Sequence, residues 1–238
     1  MIEGPLLALD SSTSIGSAAV GGADGVHAEV VRNVAGGHSS ALLPAADAAM
    51  EAAGLKPADL RGIVVAGGPG SFTGLRIAAA SAKGMLRALG IPLYAYSGLL
   101  AAAASAWASE RAVCALFDAR RRDVFAACYR FSAGGGVEVE REPAALSLDS
   151  VLESWRGEEA PVFVGDGARL HREELERELG VRVGPAHLAQ PRASSLIWLA
   201  TRVPGMGRVE DAARWEPEYL RASGAERIAA ERRGGAGC

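Results

Sequence analysis

Residues 5–20 of this chain of 238 residues read PLLALDSSTSIGSAAV, and this stretch decides the fold. An apolar run ends at Asp10 in a turn of serines and a threonine, and a second apolar run, 15–20, follows at once. Turn residues between two short apolar runs are typical of a β-hairpin. Because another glycine-rich turn leads into the valine-containing segment 26–34, three antiparallel strands are predicted to open the protein.

Helices that alternate with strands are predicted to follow these three strands. A helix is expected over 39–53 because its apolar residues recur at helical spacing, and the short apolar strand 63–66 comes next. A strand that is apolar throughout is typical of a sheet buried on both faces. A helix over 75–89, a strand over 92–96 and a helix over 99–108 complete the first half, which predicts an α/β protein.

The same pattern then restarts. The next predicted strand ends in Asp118, as the first strand ends in Asp10, and it is again followed by two strands, a helix, a strand and a helix. Self-similarity over about 100 residues indicates duplicated domains. We therefore expect an N-terminal domain over 1–109 and a C-terminal domain over 110–238, with a disordered tail from about residue 231.

Composition and charge exclude several classes of protein. Hydrophobic residues make up 49% and charged residues 22% of the chain, which is unlike collagen-like, disordered or coiled-coil proteins. A net charge of −3 excludes attraction of nucleic acid to the whole surface, so contact with RNA is expected to be local or indirect. No apolar run approaches the roughly 20 residues of a membrane span, and Glu3 and Asp10 interrupt any signal peptide. We expect a cytoplasmic protein without membrane contact.

Cysteines and histidines predict neither a metal site nor a disulfide framework. Three cysteines are scattered without a CxxC pair, and four histidines are dispersed. Cys114 and Cys128 lie at equal distances from the predicted turn near Arg121 and are expected to face each other, but to remain thiols in a cytosolic chain. No serine lies in a GxSxG pattern, so no catalytic residue is predicted.

Two turns of the N-terminal half could bind an anion. The loop 67–74 feeds glycines into a helix start and could present N–H groups to an anion, or its glycines could only let the helix approach the sheet. It is not a P-loop, because no Lys-Ser or Lys-Thr follows it. Asp10 with the hydroxyls of 11–13 could hold a metal–phosphate complex, or these residues could only close a hairpin.

The two helices over 39–53 and 75–89 are rich in small residues and poor in charges. A helix that is apolar nearly all round is buried, so the outer faces of this pair could meet a partner. Alanine enrichment alone is the alternative explanation.

Five segments of this sequence resemble the TsaB (YeaZ) family, bacterial accessory proteins of tRNA threonylcarbamoyladenosine synthesis. The resemblance covers essentially the whole chain, and its most specific part is GPGSFTGLR within 67–77. The five segments are LALDSST at 7–13, His38 followed by LLP at 42–44, GGPGSFTGLRI at 67–77, DAR at 118–120 and EPEYLR at 216–221.

The resemblance implies an actin-like, sugar-kinase-like ATPase fold of two ribonuclease-H-like domains. It also implies a non-catalytic subunit that binds and supports the paralogue TsaD, which forms N6-threonylcarbamoyladenosine next to the anticodon of tRNAs reading codons that begin with A. In TsaD a HxxxH motif binds the metal, whereas here Leu42 takes the place of the second histidine after His38. Further implied partners are the ATPase TsaE, a second copy of this chain when TsaD is absent, and tRNA only through the complex.

The resemblance also assigns site residues. No metal and no cofactor of the chain's own are implied, although ATP or ADP is expected at the complex interface. The partner surface would comprise Leu42, Leu43, Ala46, Met50, Ile77, Ala80, Ser81 and Gly84. Weak nucleotide contacts, at most at that interface, would come from Asp10, Ser11, Ser12, Gly68 and Gly70. The alternative is an autonomous ATPase or kinase that uses Asp10 and the 67–74 loop, against which the second half lacks hydroxyls after Asp118.

Overall fold

Each half of the chain builds one β-sheet. The computed structural model describes Ile2 and residues 4–33, 38–188 and 190–221, so the tail expected to be disordered from about residue 231 lies outside the described residues. The first sheet has the strand order β3-β2-β1-β4-β5, from β1 (Leu6–Asp10), β2 (Ile15–Gly22), β3 (Gly25–Asn33), β4 (Gly62–Ala66) and β5 (Leu93–Tyr96). The second has the order β8-β7-β6-β9, from β6 (Val113–Asp118), β7 (Asp123–Phe131), β8 (Val137–Ser147) and β9 (Val162–Val164).

The two sheets share their pairing directions as well as their order. β1 and β6 each pair antiparallel with the strand that follows them and parallel with the first strand beyond the meander. Where the first sheet has its fifth strand, the second has a single parallel bridge among the described residues, between Phe163 and Val183. The duplicated arrangement confirms the predicted α/β fold of the actin-like type, built from two ribonuclease-H-like units.

Eight α-helices lie in the described part of the chain. They are α1 (His38–Ala52), α2 (Phe72–Leu89), α3 (Gly98–Ala103), α4 (Leu148–Ser154), α5 (Asp166–Leu170), α6 (Arg172–Leu179), α7 (Ala193–Arg202) and α8 (Pro204–Gly207). α2 begins where the Ser71 hydroxyl accepts from the Gly74 N–H, and it ends at Gly90, whose φ of 68° suits glycine. Within the described residues, no helix has the length and hydropathy needed to cross a membrane.

Alternation along the strands produces three apolar layers. In β1, Leu7 and Leu9 pack with α1 and α2 on the outer face of the first sheet. Leu6 and Ala8 point the other way, into a central layer shared by both sheets, α3 and α7. The outer face of the second sheet packs with α4, α5 and α6. Since successive side chains of a strand face opposite sides, the central strands of each sheet are covered on both faces, whereas the edge strands β3 and β8 are partly exposed.

The helix α7 follows the second sheet in sequence but packs on the strands of the first. Its N–H at Ala193 donates to the Ser17 hydroxyl at 2.9 Å. The carboxylate of Glu29 accepts from the N–H and the hydroxyl of Ser194, both at 3.0 Å, and forms an ion pair with Arg192. The predicted C-terminal domain, 110–238, therefore sends one of its helices back to the N-terminal sheet.

Cys114 and Cys128 are directly opposed across β6 and β7, as their equal distance from the turn predicts. The structure joins them as a disulfide, so the prediction that they remain thiols is wrong for this structure. Antiparallel pairing places their side chains on the same face, in the outer layer of the second sheet.

Candidate functional site

A cleft of about 760 Å³ lies where β1, β4, β6 and β9 end. In open α/β sheets, ligands bind in the crevice outside the carboxyl ends of the strands. The walls come from the turn after β1, the start of α2, the turn after β6, the start of α5 and the segment 218–221. The cleft is therefore the candidate functional site of this fold.

Asp10 is close to this cleft but is not part of its surface. Its side chain is fully buried, and its Oδ1 accepts from the N–H of Ser12 at 2.7 Å. No hydrogen-bond partner reaches its Oδ2 from the described residues. Burial raises the pKa of Asp10 to about 6, although the N–H and the hydroxyl of Ser12 both act against this. A buried carboxyl of this kind is not placed to hold a metal–phosphate complex in the cleft.

The glycine loop packs directly on the turn that follows β1. The N–H of Ser71 donates to the Ser12 carbonyl at 2.6 Å, and the Ser11 hydroxyl donates to the Gly74 carbonyl at 2.8 Å. A Cβ at Gly70 or Gly74 would collide with the carbonyls of Ser12 and Ser11. These contacts favour the close-approach explanation of the glycines over an anion-binding loop.

Only two of the five predicted nucleotide contacts line the cleft, namely Ser12 and Gly70. Asp10 and Ser11 are buried under the glycine loop. Gly68 is buried too; its carbonyl accepts from the N–H of Gly98 at 2.8 Å. Asp10, Ser11 and Gly68 therefore cannot contact a ligand in the cleft as it stands here, and their predicted weak contact with a nucleotide at the partner interface stays a prediction.

The turn after β6 repeats the turn after β1 and forms the opposite wall. Oδ1 of Asp118 accepts from the N–H of Arg120 at 2.7 Å, as Oδ1 of Asp10 accepts from Ser12. Asp118 is exposed, however, and lines the cleft together with Arg120 and Arg121. The duplication thus includes the hydrogen bond from this carboxylate to the N–H two residues later, although Asp10 is buried and Asp118 is exposed.

Asp166 is a cleft residue that the sequence analysis did not single out. Its Oδ1 accepts from the N–H of Asp118 at 3.2 Å and from the N–H of Gly167 at 2.9 Å. Burial raises the pKa of Asp166, and the hydrogen bonds from the two N–H groups partly offset this rise. The signal that could have found it is the Gly-Asp-Gly turn at 165–167, between a strand and a helix.

The segment 216–221, quoted above only for the resemblance, ties the two walls together. The N–H of Glu218 donates to the Gly67 carbonyl at 2.7 Å, and the ring of Tyr219 lies 4.9 Å from that of Phe72. At its end, Arg221 donates to the Ala119 carbonyl at 2.9 Å and pairs with the side chain of Asp123. The segment therefore connects the start of α2 with the turn after β6.

The second predicted site, the outer face of α1 and α2, is only partly exposed. Leu42, Ala46 and Met50 are 2%, 2% and 7% exposed and pack into the layer beneath α1. These three residues lie at helical spacing on the side of α1 that faces the first sheet. They are core residues, and their predicted place on a partner surface is wrong. Of the other predicted partner residues, Leu43, Ala80 and Gly84 are exposed, and Ile77 and Ser81 are half-buried.

No group of three or more His, Cys, Asp or Glu residues in the described ranges is arranged to hold a metal ion. His38 begins α1, and its side chain lies outside what the structure describes. Leu42, one helical turn later, is buried in the core.

Comparison with known proteins places this architecture in one family. Residues 22–228 match the family model described as TsaD: tRNA N6-adenosine threonylcarbamoyltransferase. The chain is 33% identical over 227 residues to the tRNA threonylcarbamoyladenosine biosynthesis protein TsaB of Bacillus subtilis (strain 168), covering 93% of this chain and 96% of that protein. It is 28% identical over 221 residues to TsaB of Escherichia coli (strain K12), covering 91% and 94% of the two chains.

Two solved structures from Pseudomonas aeruginosa share the fold. One is described as an uncharacterized protein with similarity to peptidase YeaZ, with a TM-score of 0.77 and 28% identity over 92% of this chain and all of that chain. The other is YeaZ, with a TM-score of 0.74 and 28% identity over 91% of this chain and all of that chain.

Proposed function

Since the chain belongs to the TsaB family, whose members act in tRNA threonylcarbamoyladenosine biosynthesis, we propose that it is a non-catalytic accessory subunit of this modification. In this proposal it binds TsaD and supports formation of N6-threonylcarbamoyladenosine next to the anticodon of tRNAs that read codons beginning with A. The observation that carries the proposal is the patch on α1 and α2 where the small or apolar residues Leu43, Ala80 and Gly84 are exposed.

The residues around His38 support the non-catalytic part of the proposal. A metal site of the HxxxH kind needs two imidazoles one helical turn apart. Position 42 holds a leucine, and its side chain is only 2% exposed in the layer between α1 and the first sheet. The chain therefore lacks the second imidazole that such a site on α1 would need.

The exposed part of α1 and α2 supports the binding part. Leu43 is 46% exposed although it is a large apolar residue. On α2, Ala80 and Gly84 are exposed one helical turn apart, and a Cβ at Gly84 would have no atom within 4 Å. Small residues on a helix surface let another helix approach closely, so helices of TsaD could pack here in a four-helix arrangement.

The accessory role is tested by tRNA modification with purified proteins. TsaD and the other components of the reaction are assayed with and without this chain, and threonylcarbamoyladenosine in the tRNA is measured. We expect product to form efficiently only when the chain is present, and none with the chain in place of TsaD. Equal product in its absence would reject the proposed role.

The binding surface is tested by a pair of variants. Ala80→Arg combined with Gly84→Arg places two long charged side chains on the proposed surface without entering the core, so the fold is expected to persist. We expect this variant to lose co-elution with TsaD on size exclusion. Ala58→Arg, an equally exposed alanine outside both helices, serves as control and should co-elute. Co-elution of the double variant would reject the surface.

The remaining assignments follow from the same resemblance. We propose that TsaE docks on the pair with TsaD, that tRNA is bound chiefly by the partners because the net charge of the chain is −3, and that the chain works in the cytoplasm. We also propose that the chain forms a homodimer through the same helices when TsaD is absent, and that ATP or ADP binds at the complex interface.

An autonomous ATPase or kinase is not proposed, because Asp10 is buried and the glycine loop packs on the turn after β1.

A further inference from the structure

We propose that Arg76 anchors a carboxylate of the protein that docks on α1 and α2. The inference rests on the proposed function, because it concerns the surface on which TsaD is proposed to bind. It adds the chemistry of the partner, which presents an aspartate or glutamate side chain to the N-terminal half of α2.

Arg76 belongs to the exposed stripe of α2. It lies one helical turn before Ala80 and two turns before Gly84, and all three residues are exposed. Along this stripe, a long cationic side chain is followed by two small residues. A partner helix that packs closely on Ala80 and Gly84 therefore comes within reach of the Arg76 guanidinium.

Two aromatic rings hold the Arg76 guanidinium in place. Its Cζ lies 3.9 Å from the centre of the Phe72 ring and 6.0 Å from that of Tyr219, and its Nε donates to the Tyr219 hydroxyl at 3.4 Å. The two rings also contact each other, with their centres 4.9 Å apart. Stacking on a ring restricts the long side chain but leaves in-plane N–H groups of the guanidinium available. This preorganisation reduces the conformational entropy lost when a partner binds.

The charge of Arg76 is not matched within the described part of the chain, where no acidic side chain forms an ion pair with it. Lys83 on the same helix differs, because its Nζ pairs with Glu216 at 2.8 Å. Glu216 and Glu218 lie on the segment that also carries Tyr219, yet neither of them pairs with Arg76. An exposed guanidinium that is held in place in this way is complementary to a carboxylate from another molecule.

The charges on α1 favour a protein carboxylate over the phosphates of a nucleic acid. Asp47 and Glu51 are exposed one helical turn apart on α1, which packs beside α2. Nucleic acid is bound by clusters of cations, so two carboxylates on the neighbouring helix oppose a strand of phosphates. A single ion pair beside small and apolar residues is typical of a protein interface, where arginine and tyrosine are frequent anchors.

The test is isothermal titration of TsaD with the purified full chain, in which the wild type is compared with Arg76→Gln. We expect the affinity to fall at least about tenfold at low salt, because the charge and its paired N–H donors are lost. Since Arg76 is exposed, the Tm should stay within about 3 °C of that of the wild type.

Arg87→Gln is the matched control for this measurement. It removes the same charge from another exposed position of α2, but Arg87 contacts no aromatic ring among the described residues. We expect the control to lose less than about threefold in affinity, as is usual for an arginine that is not held in place. Unchanged affinity in Arg76→Gln, or an equal loss in the control, would overturn the anchor.

A second measurement identifies the group that Arg76 meets. Arg76→Lys keeps the charge, and a carbodiimide joins its amine to a contacting carboxylate as an amide, with loss of water. In the complex with TsaD, mixed at concentrations above the Kd, we expect mass spectrometry to find position 76 linked to an aspartate or glutamate of TsaD. Absence of this link would overturn the assignment, as would a loss of tRNA affinity in Arg76→Gln with unchanged affinity for TsaD.

These experiments separate failure of the anchor from failure of the proposed function. If the wild-type chain does not bind TsaD, the binding part of the proposed function is rejected, and the anchor is rejected with it. If the wild type binds and Arg76→Gln binds equally well, only the anchor is rejected and the accessory role stands.

Discussion

Asp10→Asn is expected to make this protein more stable at neutral pH. Asp10 is fully buried, and burial raises the pKa of its carboxyl from 3.8 to about 6. At pH 7 the folded protein must therefore hold an ionised carboxylate in an environment that disfavours the charge. Asparagine keeps an oxygen for the Ser12 N–H and replaces the unpartnered Oδ2 by an amide group of similar size.

The magnitude follows from the difference between the two pKa values. At 1.36 kcal/mol for each pH unit, the difference between about 6 and 3.8 corresponds to about 3 kcal/mol. A raised folded-state pKa means that the folded protein binds the proton more tightly than the unfolded chain. The loss of folding stability caused by the ionised Asp10 carboxylate is thus greatest above about pH 7. It declines as the pH falls through 6 and disappears near pH 3.8. The advantage of Asp10→Asn should follow the same course.

Urea unfolding at several pH values between 5 and 8, followed by circular dichroism, measures this advantage. We expect about 3 kcal/mol at pH 7.5, or a Tm higher by about 6–12 °C for a chain of this size, and clearly less at pH 5. Asp118→Asn is the control, since this exposed residue makes the same hydrogen bond two residues ahead and should change stability by less than about 0.5 kcal/mol. A destabilised Asp10→Asn protein at pH 7.5, or an advantage that does not vary with pH, would refute the reasoning.

Three further comparisons test the packing by urea unfolding. Ala46→Arg should lower the free energy of unfolding by more than about 4 kcal/mol because it buries an unpaired charge. The exposed Ala80→Arg should change the free energy of unfolding by less than about 0.5 kcal/mol. Similar values for both variants would contradict the assigned orientation of α1. Gly74→Ala should destabilise by more than about 3 kcal/mol because its methyl group meets a carbonyl of the turn after β1, while Gly84→Ala, with open space around it, should stabilise by up to about 1 kcal/mol. A neutral Gly74→Ala would show that the glycine loop does not pack as described. Glu29→Gln should cost about 2 kcal/mol by weakening the anchor of α7, and no loss would show that α7 is held by apolar contacts alone.

Local sequence patterns were enough for most of the fold. The turn residues around Asp10 and Asp118, each after a short apolar run, predicted two copies of one arrangement, and the structure has two sheets with matching order. The alternation of apolar residues in β1 and the helical spacing in α2 are properties of neighbouring residues. Such periodicities depend only on the geometry of strand and helix, so they can be read without knowledge of the rest of the molecule.

The site depended on contacts between distant parts of the chain. The sequence placed Asp10 and Ser11 among candidate ligands, but only the tertiary structure shows that the loop after β4 covers them. It also brought Asp166 beside Asp118 and laid 216–221 across the cleft.

By itself, then, the sequence determined the repeat, the strands and helices, and the family to which the chain belongs. It also placed the stripe of Leu42, Ala46 and Met50 on one side of α1, without deciding whether the first sheet or a partner covers that side. The tertiary structure decided this in favour of the sheet, returned α7 to the first sheet, and turned Arg120 and Arg121 toward the cleft. The physical reason is that burial is a property of the whole packed chain, whereas periodicity records only which residues share a face.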